Sequence, residues 1–153
     1  MKYLILIFIL FISGCASAPK NALSFDRVSV PESTHLKSTL VFNRLVTPPT
    51  GSDMRVSIDG TQIVALPNNT FSYIQLTPGV YKLKISWSPW TGMWSTEKEV
   101  IIPAGKTTYL QLGSSVYTPM GVEIGSSKNV LMEENKAQSH LLACCKYIPS
   151  IEL

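Results

Sequence analysis

The sequence predicts a mainly β protein: an antiparallel β-sandwich of about seven short strands, with one amphipathic helix at its C-terminal end. Three observations carry that prediction. Short runs rich in β-branched and apolar residues recur from Thr39 onward, each bounded by Gly, Pro, Asn or Asp. One of them, "VYKLKISW" at 80–87, alternates apolar and polar residues without a break, as a strand with one buried and one wet face requires. Beyond Asn129 the apolar period changes to that of a helix.

In chain order, "TLVFNRLV" (39–46) reads as the first strand and "TPPTG" as its break. "MRVSIDGTQIVAL" (54–66) reads as a hairpin turning at Asp59-Gly60, because glycine takes positive φ without steric cost and aspartate tolerates it. "TFSYIQL" (70–76) follows a second turn signal at Asn68-Asn69. In 80–87, Tyr81, Leu83, Ile85 and Trp87 share one face, and Lys82, Lys84 and Ser86 form a solvated opposite face. "EKEVIIP" (97–103) and "TTYLQLG" (107–113) flank Ala104-Gly105, and a weaker strand is expected over 116–124. In "NVLMEENKAQSHLLACCKYIP" (129–149), Ala137, Leu141, Cys144 and Ile148 fall on one helical face. Glu133 and Glu134 near the start, Lys146 near the end and Pro149 as a stop complete the expected helix.

The chain of 153 residues has room for one domain of ordinary size, and 45% hydrophobic with 15% charged residues suits a folded one. Its formal net charge is +3, from 13 basic and 10 acidic residues; without Lys2 the balance is 12 against 10. So slight a bias argues against a nucleic-acid partner, which needs clustered Lys and Arg.

The amino terminus states where the protein resides. Met1-Lys2 is followed by the apolar run "YLILIFILFI" (3–12) and then by small residues, the layout of a secretory signal peptide. A bilayer-spanning helix needs roughly 20 apolar residues, so the run is too short to remain as an anchor. Ile12-Ser13-Gly14-Cys15 resembles the lipobox of bacterial lipoproteins. That resemblance implies cleavage between Gly14 and Cys15, a diacylglycerol on the Cys15 thiol (the palmitate-type modification of this class) and commonly an acylated new amino terminus. Ala16 rather than aspartate after the cysteine implies, by the sorting rule of Gram-negative bacteria, the outer membrane on its periplasmic face. Each buried methylene of such a chain contributes ~0.8 kcal/mol, so more than one acyl chain holds stably. The competing reading is that Ala16-Ser17-Ala18 serves as an A-x-A site, releasing a soluble periplasmic protein. The expected division is a signal peptide at 1–14, the lipidated cysteine and a tether at 15–37, and the β-domain with its helix at 38–153. As a flexible coil the tether would span roughly 25 Å, and at most roughly 75 Å when extended. A short strand at 28–30 would dock part of it on the domain.

With the strands placed, "VSIDG" (56–60), "LTPGVY" (76–81) and "AGKTTY" (104–109) resemble, in this order, the turns of PEGA-like β-domains. They are most similar to those of small bacterial lipoproteins whose related domain has no known function. The resemblance spans about 39–113 and implies a compact extracytoplasmic β-domain without catalytic residues.

Among candidate site residues, Trp87, Trp90 and Trp94 in "SWSPWTGMW" stand out. Trp87 continues the inward face of its strand and reads as core. Trp90 and Trp94 lie beyond the alternation, and read either as packing or as a stacking platform for a cell-wall sugar or a protein partner. Cys144 and Cys145 remain once Cys15 is lipidated. Successive helical residues point about 100° apart, so an intact helix cannot join them. That leaves Cys144 as a small buried hydrophobe beside a semi-exposed Cys145, an intermolecular disulfide through Cys145, or a distorted vicinal bridge. His35 and His140 read as surface residues, and no catalytic grouping, metal-ligand spacing or cofactor motif is present. Asn68-Asn69-Thr70 fits a glycosylation sequon on a tight turn. The expectation is therefore a non-enzymatic envelope lipoprotein that binds or scaffolds another envelope component, a protein first, through its β-domain. A glycan module using the Trp loop on peptidoglycan or polysaccharide comes second, and a hydrolase with an unrecognised site third.

Overall fold

Ser38–Arg44 (β1) is buried at every position, because both of its faces are covered. The computed structural model describes residues 17–117 and 124–153 and shows where that cover comes from. Two sheets pack face to face as a β-sandwich, and a helix with the N-terminal segment forms a further layer on one of them.

The remaining strands are Met54–Ile58 (β2), Thr61–Leu66 (β3), Thr70–Leu76 (β4), Gly79–Ser86 (β5), Thr96–Ile102 (β6), Thr108–Tyr117 (β7), Ile124–Met132 (β8) and Lys146–Tyr147 (β9). One sheet runs β8-β7-β1-β4-β9 and the other β3-β2-β5-β6. Six strands, β1 to β6, match the expected runs closely, and Asp59-Gly60 makes the β2–β3 turn with φ of 47° and 85°. Two features differ from an all-antiparallel sandwich: β1 pairs with β7 in parallel, and β4 with β9 in parallel. The reason is connectivity. β6 and β7 lie in different sheets, so the chain crosses over at Gly105 (φ 68°) and β7 enters beside β1 in the same direction.

The strand expected at 116–124 is instead the end of β7 and the start of β8, with 118–123 outside the described residues. β8 also takes 129–132, the expected entry of the helix, so Glu134–Cys144 (α1) is shorter than its period suggests. Cys145 is extended (φ −114°, ψ 139°) and its N–H closes the last turn on the Leu141 carbonyl. The helix therefore ends before Lys146 and Pro149, because the next residues hydrogen-bond to β4's edge. Ala137 and Leu141 are buried as expected, while Ile148 packs on the core between the sheets rather than under the helix.

The main core interdigitates Leu40 and Phe42 of β1, Ile74 and Leu76 of β4 and Leu110 and Leu112 of β7 with Met54, Val56, Leu83, Ile85 and Ile102 of the facing sheet. Lys82 and Lys84 face solvent opposite Glu99 and Glu97 of β6, a favourable cross-strand charge ladder. A second core on the outer face of β1, β4 and β7 holds Val41, Phe71, Tyr109, Ala137, Leu141 and Cys145. Tyr109 donates to the Glu134 carboxylate at 3.4 Å and accepts from Gln138 at 3.4 Å, tying α1 to β7; burial raises its pKa.

The segment expected to be a tether completes that second core from Ser17 onward. A short turn at Phe25–Arg27 sets the Phe25 ring edge-on to Phe71, centroids 5.3 Å apart, and Val28 and Val30 pack beside it. The backbone is held too: Tyr147 donates to the Leu23 carbonyl (2.8 Å), and Thr39 Oγ1 to that of Pro31 (2.8 Å). This strap runs the full length of the sandwich before entering β1.

Candidate functional site

Strand directions divide the loops between two ends. The turns at 59–60, 77–78 and 103–107 gather at one end, where β2, β4 and β6 finish. At the other end lie the loops 45–53, 67–69 and 87–95. Every tryptophan is at this second end, and two of the loops there are built on one buried cation.

Arg44 is fully buried at the close of β1, on the same face as Leu40 and Phe42. Its Nη1 donates to the carbonyls of Ser52 (2.7 Å) and Leu66 (2.8 Å), and its Nη2 to those of Thr47 (3.2 Å) and Pro49 (2.9 Å). Its guanidinium carbon lies 4.8 Å from the Trp87 ring centre, a cation–π contact. Burial lowers its pKa to about 10, opposed by Asp53, so it stays charged at neutral pH. Arg44 thus fixes the loop 47–52, which contains a cis Pro48-Pro49 bond and takes a hydrogen bond from the Ser114 hydroxyl at Pro48. Sequence reasoning missed it; its parity with Leu40 and Phe42 was the available signal.

Trp87 is 6% exposed and donates from Nε1 to Ser127 Oγ at 2.8 Å, a core residue as expected. The chain then leaves the strand period. Ser88 precedes a short turn at Pro89–Thr91, and Gly92 closes it at φ 65°. Met93 packs inward on the main core, which leaves its neighbours on the outside. Trp90 is 81% exposed and Trp94 is 70% exposed. Packing does not account for either side chain.

Trp90 stands at the mouth of an open cleft of about 640 Å³, whose walls include Ser17, Asp53, Arg55, Ser88 and Ile148. Arg55 Nη2 donates to Ser88 Oγ at 3.3 Å at the base of the Trp loop. Asn68, on the neighbouring loop, is 8% exposed and donates to the Thr50 carbonyl (2.8 Å), so its side-chain nitrogen is engaged in the fold.

Cys144 and Cys145 lie against the second core, on the outer face of the five-stranded sheet, and are joined to each other in one chain. The expected burial is reversed: Cys145 is 3% exposed and Cys144 is the half-buried one, because Cys145 leaves the helix and turns inward. The vicinal bridge is possible for the same reason, since the pair straddles the helix end. So joined, Cys145 has no thiol to offer a second chain. His35 is exposed and far in sequence from half-buried His140, and no cluster suited to a metal exists among the described residues. Gly14 and Cys15 lie outside the described residues. No helix among the described residues is long and apolar enough to cross a membrane.

A β-sandwich with an outer strap and a projecting aromatic loop is the class that the fold and this end define. No family model matches the chain, and no curated protein matches it.

Proposed function

We propose that this protein is a non-enzymatic lipoprotein of the cell envelope, with a PEGA-like β-domain, held in the outer membrane by lipid on Cys15. Its domain engages another envelope component through the loop bearing Trp90 and Trp94. The observation that carries this reading is that both indoles are exposed while Trp87, a few positions earlier, is buried. Exposed tryptophans on an anchored loop act as contact residues, because a rigid indole offers a large amphipathic area at little entropic cost. Cleavage before Cys15 also agrees with the strap. Ser17 forms a backbone bridge to Asn68, a contact that cutting after Ala18 would remove.

A second reading, a glycan platform, draws support from the polar groups around Trp90: Asp53, Arg55 and Ser88 could hydrogen-bond sugar hydroxyls beside a stacking ring. In-cell photo-crosslinking from positions 90 and 94 tests the shared claim. An adduct with any envelope component is expected, and its mass identifies the class. No adduct from folded, membrane-bound protein overturns it.

A further inference from the structure

The strap determines how far the domain can stand from its anchor. From Ser17 onward the chain is fixed to the sandwich: Ser17 bridges to Asn68, Ser24 to Lys146, and Phe25 packs on Phe71. It enters β1 at the far end of the sandwich, so its course from there back to Ser17 brings the N-terminal side to the tryptophan end. Only Ala16 separates Ser17 from Cys15, and two extended residues reach roughly 7 Å. A lipid on Cys15 therefore acts at the surface around Ser17, with no long tether between. That surface is the cleft shared by Ser17, Pro19, Arg55, Ser88 and Trp90.

Its side chains suit one environment. Indoles concentrate at the headgroup level of bilayers, where one edge of the ring is apolar and the N–H stays wet. Trp90 and Trp94 are the most exposed tryptophans of the chain and project from the same loop. Arg55 lines the cleft as a cation for lipid phosphates, with Asp53 the one opposing charge on its walls, and exposed Lys20 directly follows Pro19 of the cleft wall in the chain. We propose that the component engaged by the tryptophan loop is the lipid headgroup layer itself. The domain sits directly on the membrane by this end, with Trp90 and Trp94 at the interface beside the Cys15 lipid. This rests on the lipoprotein reading above. Its consequence is an orientation: the turns at 59–60, 77–78 and 103–107 face away from the membrane and are the surface presented to the periplasm.

The test uses the full chain, processed in a bacterium and extracted from its membranes. It is reconstituted in phosphatidylcholine–phosphatidylglycerol vesicles, plain or carrying bromine at shallow or deep acyl positions. The mass of the N-terminal peptide is read on the same sample. With Cys15 acylated, shallow bromines are expected to quench roughly half of the tryptophan emission, deep bromines less, as for interfacial indoles. The Trp90→Phe/Trp94→Phe chain, reporting Trp87 alone, should lose that quenching and keep its melting temperature. Equal emission in all vesicles with Cys15 acylated overturns the membrane seat and leaves the lipoprotein reading standing. So does quenching retained by the double variant. An unacylated N-terminal peptide overturns the lipoprotein reading, and the seat with it.

Discussion

Trp87 and the pair Trp90–Trp94 are the same residue type within one short stretch, and they have opposite fates. Trp87 is the last inward position of an alternating strand, closed over by Arg44 and Ser127. Three residues on, the turn at Pro89–Thr91 breaks the period and only Met93 returns to the core. Burial in this stretch is therefore decided by strand parity and not by hydrophobicity. Indoles that parity leaves outside are available for contact.

That contrast can be broken by substitution. Removing Arg44 should have the largest effect. Arg44→Ala strips hydrogen bonds from four buried or half-buried carbonyls and opens a void beside Trp87. We expect a loss of about 4 kcal/mol in urea unfolding. A loss under about 1 kcal/mol would mean that the loop 47–52 holds itself. Trp87→Ala should follow with about 3 kcal/mol, by lost burial and a cavity. If it costs no more than Trp90→Ala, the division drawn between the indoles is wrong.

The strap is intermediate. Phe25→Ser removes a half-buried ring from the second core and should cost about 1–2 kcal/mol. It should also raise hydrogen exchange at Tyr147, whose amide donates to Leu23. Unchanged exchange there would show that the strap does not depend on this ring. The Cys144–Cys145 bridge closes almost no loop, so its reduction should cost about 1 kcal/mol or less, with no change of oligomeric state between reducing and non-reducing gels. A dimer band lost on reduction would revive the intermolecular pairing. Smallest of all, Trp90→Ala and Trp94→Ala should each shift stability within about 0.5 kcal/mol, since neither ring is packed. A drop comparable to that of Trp87→Ala would remove the case for a contact surface.

Much of the fold was legible because it is written in local chemistry. Alternation located β5 and Trp87, and Asp59-Gly60 marked the β2–β3 hairpin. What sequence does not record is which strands become neighbours, so the parallel pairing of β1 with β7 was missed. Helix length was overread because Ile148 falls at a helical spacing by coincidence; its chain is extended and it packs on the other core. The strap looked like a tether because Phe25, Val28 and Val30 have no period. They bind side-on to a preformed sheet, and their spacing follows that surface. Arg44 was invisible for a related reason: a basic residue at a strand end resembles a solvated one, and the carbonyls that hold it come from separate loops. At the candidate site, the exposure of Trp90 and Trp94 was left open by pattern alone, and the closeness of Ser17 to Trp90 required the folded strap.

Location, orientation and the role proposed for the tryptophan loop all depend on the lipid on Cys15. The most direct measurement is the mass of the mature N-terminal peptide from membrane-extracted protein. The expected peptide begins at Cys15 and carries diacylglycerol on sulfur and commonly an acyl group on its new amino terminus. A mature chain beginning at Pro19 without lipid, recovered in the soluble periplasmic fraction, would contradict it.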